Sequence, residues 1–230
     1  MAEQKDKKMK ILNLYAGIGG NRKLWPNEHE ITAVEMNPEI AKIYKDFFHN
    51  DNVIVGDAHE YLLNHFQEFD FIWASPPCQS HSKFNLLNES QNKKQKYPDM
   101  KLYQEILLLQ NFYKGFYVIE NVIPYYEPLI KPTIKLHRHL FWSNFYIYLF
   151  DKKDSAYPIR SLLNKRAKLR YGFDIKDYKI KNINQILNNL VNPELGLHIF
   201  NCIPGNKNKN IQQNNLFDFS SCGTDAAQIK

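Results

Sequence analysis

The sequence predicts an α/β fold built on a doubly wound, mostly parallel sheet. Short apolar runs with little polar alternation recur along the first half of the chain, as strands covered on both faces require. Stretches with apolar residues at three-and-four spacing stand between them, and glycine, proline or an acidic residue marks most of the junctions. At 230 residues, 43% of them hydrophobic and 23% charged, the chain can bury a core of its own.

KILNLY, from Lys10 to Tyr15, is the first strand, and AGIGGNRKLW reads as a glycine-rich turn into a helix start. EITAVEMN is the second strand, with Glu35 at its end. NPEIAKIYKDFF is a helix, because Pro38 stands at its first position and Ile40, Ile43, Tyr44 and Phe47 share one face. NVIVGDA is a third strand ending at Asp57, and HEYLLNHF is the helix after it. FDFIWASPP is the fourth strand, PDMKLYQEILLLQNFYKG a long amphipathic helix ending at Gly115, and FYVIENV the fifth strand. Strands and helices alternating in this way give a Rossmann-like sheet.

In such sheets ligands gather at the carboxyl ends of the strands. Gly17, Gly19 and Gly20 follow strand one, Glu35 ends strand two, Asp57 ends strand three, Cys78 follows strand four, and Glu120 and Asn121 end strand five. All fall on one rim. A glycine turn alone serves packing equally well, but an acid at the end of the next strand can accept from both hydroxyls of a ribose. Asp57 can accept from an adenine amino group in the same way, with Tyr15, Met36 and Trp73 flanking the ring. Core packing explains Trp73 equally well. The combination predicts a pocket for a nucleoside-containing cofactor.

The stretch ASPPCQSHSKF places two prolines directly before Cys78. Prolines fix the backbone and remove the donors that would anchor the turn, so a cysteine that merely packs has no use for them. Cys78, Cys202 and Cys222 lie far apart, without the spacing of a zinc site or a disulfide framework, which points to a reducing compartment. His137 and His139 make a His-x-His pair, but two ligands do not make a metal site, and none is expected. No apolar run is long enough to span a membrane, and MAEQKDKKMK lacks the apolar core of a signal peptide. The net charge is +6, and Asp151 to Leu190 holds ten Lys or Arg against four Asp or Glu. Interleaved with Tyr157, Tyr171 and Tyr178, this excess suits a phosphate backbone; the alternative is a solvated face.

LNLYAGIGG, the Pro-Cys-Gln of SPPCQS, the Glu-Asn-Val of FYVIENV, then HLFWSNF and VNPELGLHIF resemble in order the first, nucleophile, acid, eighth and tenth motifs of cytosine-C5 DNA methyltransferases. The likeness is to the short phage and bacterial forms, over residues 10 to 150 and 188 to 203. It implies the S-adenosylmethionine-dependent methyltransferase fold, with that compound as cofactor and double-stranded DNA as partner. It further implies a monomer in the cytoplasm of a bacterial or phage-infected cell, in the setting of restriction and modification. The implied roles are a nucleophile at Cys78 that adds to C6 of a flipped cytosine, an acid at Glu120 that binds and protonates N3, and a charge-neutralising Arg138. The cofactor would be held by Tyr15, Gly17, Gly19, Gly20, Glu35, Met36, Asp57, Ala58, Pro76 and Asn192. Gln79, Ser80, His81 and Ser82 would belong to a loop closing over the extruded base, His81 touching phosphate or shifting the thiol.

Two departures qualify the resemblance. The eighth motif carries a Gln-x-Arg-x-Arg pattern in the family, and here His137, Arg138 and His139 stand in that neighbourhood, leaving Arg138 as the candidate. The large recognition domain between the eighth and tenth motifs is absent. The expected organisation is a catalytic core over 1–150, a reduced basic DNA-contacting segment over 151–190 with Lys165, Arg166, Lys168 and Arg170, a return helix over 191–203 and a flexible tail over 204–230. In that tail Gln213, Leu216 and Phe217 resemble the pentapeptide that binds the bacterial sliding clamp; the alternative is a terminal turn packing Leu216 and Phe219. Other readings are a catalytic subunit whose partner supplies target recognition, a silent DNA-binding module, which intact Cys78 and Glu120 argue against, and an RNA methyltransferase, whose Cys-Phe-Thr element is missing.

Overall fold

Seven strands form one sheet in the order β3-β2-β1-β4-β5-β7-β6 in the computed structural model, which describes residues 8–83, 85, 96–150, 171–178 and 183–206. β1 (Lys10–Leu14), β2 (Glu30–Glu35), β3 (Asn52–Val55), β4 (Phe71–Ala74) and β5 (Phe116–Val122) pair in parallel. β7 (His139–Ser143) runs antiparallel to β5 and to β6 (Ile134–Leu136). The strand order reverses between β1 and β4, so their carboxyl ends open the crevice that a Rossmann-like sheet offers a ligand.

The strands are apolar on both faces because both are covered. Ile11, Phe71, Trp73, Val118 and Phe141 pack on one side with Trp25 and with Leu195, Ile199 and Phe200 of the last helix, α5 (Pro193–Asn201). Leu12, Leu14, Ile72, Ala74 and Ile119 face the other side, against Leu62 of α2 (Ala58–His65) and Leu102, Ile106 and Leu109 of α3 (Lys101–Phe112). Around α1 (Pro38–Phe47), Ile43, Tyr44 and Phe48 form a third cluster with Tyr171, Phe173 and Ile175 and with Leu187 of α4 (Ile183–Asn189). The described part of the basic segment is therefore packed onto the body. Tyr171 is buried and so presents no free ring to a phosphate backbone, while the partly buried Tyr178 donates its hydroxyl to Asp46 Oδ2 at 2.8 Å.

The expected helix after the glycine turn does not form. Residues 15 to 29 are a series of turns, because Arg22 is drawn inward: its guanidinium donates to Asp51 at 3.0 Å, to the Trp25 carbonyl at 2.9 Å and to Asn27 at 3.0 Å. These contacts win over the local helical preference of the segment. α3 stops at Phe112 rather than Gly115, since the chain there turns into β5; a Cβ on Gly115 would lie 2.7 Å from the Asp70 carbonyl oxygen. No helix among the described residues is long and apolar enough to cross a membrane.

Candidate active site

Beyond β4 the chain passes through Ser75, buried Pro76, exposed Pro77 and half-buried Cys78. Neither proline has an N–H to give, so the turn is held by what it accepts. Asn121, 1% exposed near the end of β5, donates from Nδ2 to the Pro76 carbonyl at 3.0 Å, while its Oδ1 accepts from Val122 N at 2.9 Å. On the far side the Cys78 carbonyl accepts from His81 N at 3.1 Å and Ser82 N at 2.9 Å. The thiol is fixed between two anchored peptides. Burial pushes its pKa above the ordinary thiol value and the Glu120 carboxylate pushes further, against the Cys78 backbone and the Arg138 guanidinium.

Glu120 pairs with Phe141 across β5 and β7, and Val122 with His139, so the pleat sets Glu120 and His139 diagonally on one face. Their side chains, both about nine-tenths buried, meet with His139 Nε2 3.3 Å from Glu120 Oε1. Arg138, the expected charge-neutralising residue, stands beside this pair in the chain. It lies with His137, whose φ is 52°, in the two-residue connection from β6 to β7, and its Nη2 donates to the Asn188 carbonyl at 2.7 Å. From there its charge acts on the Cys78 thiol, while His139, the first residue of β7, meets Glu120. His139 was legible as two residues before Phe141 on a short strand, but only the pairing with β5 shows what it faces.

A cleft of about 530 Å³ opens beside this turn, lined by Tyr15, Gly17, Gly20, Glu35, Met36 and Ala58, together with Asn37, Pro77, Gln79, Asn189 and Val191. Glu35 is pre-set there: Oε2 accepts from Gly17 N and Oε1 from Asn37 N, each at 2.9 Å, so each oxygen keeps a second acceptor position. Gly17 turns its amide to that carboxylate with φ +56°, a conformation glycine adopts without strain. Asp57 and Pro76 line a smaller recess of about 140 Å³ that shares Tyr15, Met36 and Pro77 with the cleft. Asp57 caps α2, its Oδ1 accepting from His59 N at 2.8 Å and Glu60 N at 3.3 Å, and its Oδ2 lies 3.4 Å from Lys101 Nζ. Burial works against its charge, yet the amides and Lys101 hold its carboxyl below the ordinary range.

Several expected residues stand elsewhere. Gly19 is turned to α1, where a Cβ would lie 2.3 Å from the Phe48 ring. Asn192 lines neither hollow, because its side chain accepts from Glu194 N at 2.8 Å to cap α5; Asn189 and Val191 line the cleft in its place. Trp73 is wholly inside, its indole donating to Ser75 Oγ at 2.9 Å. His81 is 1% exposed, bonded to the Tyr126 hydroxyl and edge-on to Tyr103. Burial lowers its pKa. Ser80 is buried as well, its Oγ accepting from Asp99 N at 3.0 Å, and Ser82 bridges to Pro124. Gln79 faces the cleft. Lys165, Arg166, Lys168 and Arg170, and Gln213, Leu216 and Phe217, lie outside the described residues.

The hollows suit a nucleoside. They offer an acidic acceptor at the end of β2, a second at the α2 cap, the apolar side of the exposed Met36, and a glycine loop that lets backbone approach closely. Among the described residues no group of three or more His, Cys, Asp or Glu is gathered for a metal ion.

The model of the C-5 cytosine-specific DNA methylase family matches residues 9–124. No curated protein matches the chain in sequence. Among solved structures, a SAM-dependent methyltransferase from Agrobacterium tumefaciens is 13% identical, with 53% of this chain and 41% of that one covered at a TM-score of 0.36. A conserved hypothetical protein from Streptococcus pyogenes is 15% identical, covering 60% and 87% at 0.37. A DNMT2 mutant from Spodoptera frugiperda is 25% identical, covering 49% and 35% at 0.34.

Proposed function

Because the chain belongs to the C-5 cytosine-specific DNA methylase family, and is thereby an S-adenosylmethionine-dependent methyltransferase, we propose that it methylates C5 of a cytosine swung out of duplex DNA, using Cys78 as a covalent nucleophile. C5 of cytosine is a poor nucleophile until an atom adds at C6. Cys78 as thiolate attacks C6, and the electron pair of the C5–C6 bond is drawn toward N3, where Glu120 donates a proton. His139 holds one oxygen of Glu120 and so orients the other to the base. Glu35, Asp57 and the glycine loop would hold S-adenosylmethionine, which would supply an electrophilic methyl group to the activated C5 and leave as S-adenosylhomocysteine. Transfer of the C5 proton to water then restores the C5–C6 double bond, expels the Cys78 sulfur as thiolate and returns the N3 proton to the Glu120 carboxylate. Burial and then the Glu120 carboxylate raise the Cys78 thiol above its ordinary value, which disfavours the thiolate in the free protein.

The observation that carries this reading is the bond from Asn121 to the Pro76 carbonyl, which ties the thiol turn to the strand bearing Glu120. A flat ring attacked at one atom rewards a nucleophile held in one place. In the same reading Lys165, Arg166, Lys168 and Arg170 bind phosphate, and Gln213, Leu216 and Phe217 dock on a sliding clamp; both statements rest on sequence. The test is adduct formation. With S-adenosylmethionine and DNA containing 5-fluorocytosine, the protein should form a denaturation-resistant complex, because fluorine cannot leave as the proton does. Cys78→Ala should form none, and an adduct that survives this substitution overturns the assignment.

A further inference from the structure

Glu105 lies on α3 between Leu102 and Leu109, both buried, and is itself 0% exposed. A buried carboxyl costs several kcal/mol unless its partners compensate, so an apolar residue would serve the core better. Its partners lead to the cofactor cleft. Glu105 Oε1 accepts from the Tyr15 hydroxyl at 2.5 Å and meets His59 Nδ1 at 2.9 Å. Oε2 is buried with no hydrogen-bond partner among the described residues. Tyr15 is the residue where β1 opens into the glycine loop, it lines both hollows, and it holds φ at 56°, unusual for a residue with a side chain. His59 stands in the first turn of α2, next to Ala58 of the cleft wall and with its amide on Asp57. One turn earlier on α3, Lys101 reaches Asp57 as well.

Two residues four apart on one helix thus hold both walls of the nucleoside hollows from behind. We infer that Glu105 is a positioning residue for S-adenosylmethionine: through Tyr15 and His59 it fixes the glycine-loop wall and the α2 wall at one separation, and touches no ligand itself. The tyrosine ring needs this support because its own backbone is strained; the α2 wall needs it because, among the described residues, Asp57 is bound to its own helix and to Lys101 alone. Burial raises the Glu105 carboxyl above its ordinary range and the bond to Glu105 raises His59, which is consistent with a shared, dry network.

The inference rests on the cleft being the cofactor site, and calorimetry with S-adenosylhomocysteine tests each separately. Wild-type protein that fails to bind overturns the cofactor site itself. If wild type binds, Glu105→Leu and Tyr15→Phe should each raise Kd about tenfold, and the double variant should be no weaker than Glu105→Leu alone, since that variant already lacks the contact that Tyr15→Phe removes. In methylation assays KM for S-adenosylmethionine should rise in parallel while kcat at saturating cofactor stays within twofold, a split that general loosening of the core would not give. Tyr15→Phe removes a single oxygen and serves if Glu105→Leu does not fold. Folded variants with unchanged Kd, or a double variant with about a hundredfold loss, would overturn the inference, because the two residues would then act independently.

Discussion

Asn121→Ala removes two hydrogen bonds at once, and the structure says what each is worth. The Pro76 carbonyl would be left buried without its 3.0 Å donor, and Val122 N would lose its acceptor on a half-buried strand end. An unsatisfied buried group costs about 1–3 kcal/mol and an ordinary lost bond about 1, so the loss of stability should be about 2–4 kcal/mol. For a chain of this size each kcal/mol moves Tm by about 2–4 °C, which gives a fall of about 4–16 °C. The effect on catalysis should exceed the effect on folding. Prolines on both sides of that carbonyl leave no N–H to take over the anchor, and a displacement of about 1 Å at the reacting atom costs on the order of a hundredfold in rate. Single-turnover methylation at a temperature where circular dichroism shows the variant fully folded separates the two. Asn121→Asp, which keeps the size but presents an acceptor to an acceptor, should be at least as slow. A folded Asn121→Ala or Asn121→Asp protein within threefold of the wild-type rate would refute the anchoring argument.

The Cys78 thiol of the free protein should alkylate with iodoacetamide along a pH curve whose midpoint lies above that of free cysteine, because burial and then Glu120 raise its pKa. Glu120→Gln should move that midpoint down and Arg138→Ala should move it up; shifts of the opposite sign would mean the two charges do not face the thiol. His139→Ala, by stripping Glu120 of the bond that orients it, should lower kcat about ten- to a hundredfold, the worth of a charged hydrogen bond of about 1.5–3 kcal/mol, with the Kd of S-adenosylhomocysteine unchanged. Arg138→Ala should cost less than threefold, and a larger loss for Arg138 than for His139 would return the role to the arginine.

The parallel strands were legible because a strand buried on both faces has nothing polar to alternate with, as FIWA and ILNL show. Glu35 and the proline–cysteine turn were legible for a related reason: strand ends set their direction, and little else has to be known. What failed was everything decided by a partner far along the chain. His81 looked like a loop histidine because Tyr103 and Tyr126, which enclose it, come from α3 and from beyond β5. The segment after Gly20 reads as a helix start, yet Asp51 takes Arg22 out of it. His139 and Arg138 are neighbours in sequence, and only the register with β5 tells which one meets Glu120. Glu105 left a trace that pattern reading could have caught, a carboxylate standing three residues after Leu102 and four before Leu109, inside the apolar stripe of its helix.

The glycine loop is closed from the other end of the chain. A Cβ on Gly20 would lie 2.4 Å from the Val191 carbonyl oxygen, one on Gly196 would lie 2.5 Å from that of Asn21, and the Trp25 indole donates to the Gly196 carbonyl across 171 residues of sequence. Such distant contacts form late in folding, since the entropy of closing so long a loop must be met before they return anything. During translation, β1, β2 and the Pro-Pro-Cys turn leave the ribosome while the residues that finish the cleft are still unmade. A growing chain therefore presents the Pro-Pro-Cys turn before it holds the α5 residues that close the glycine loop.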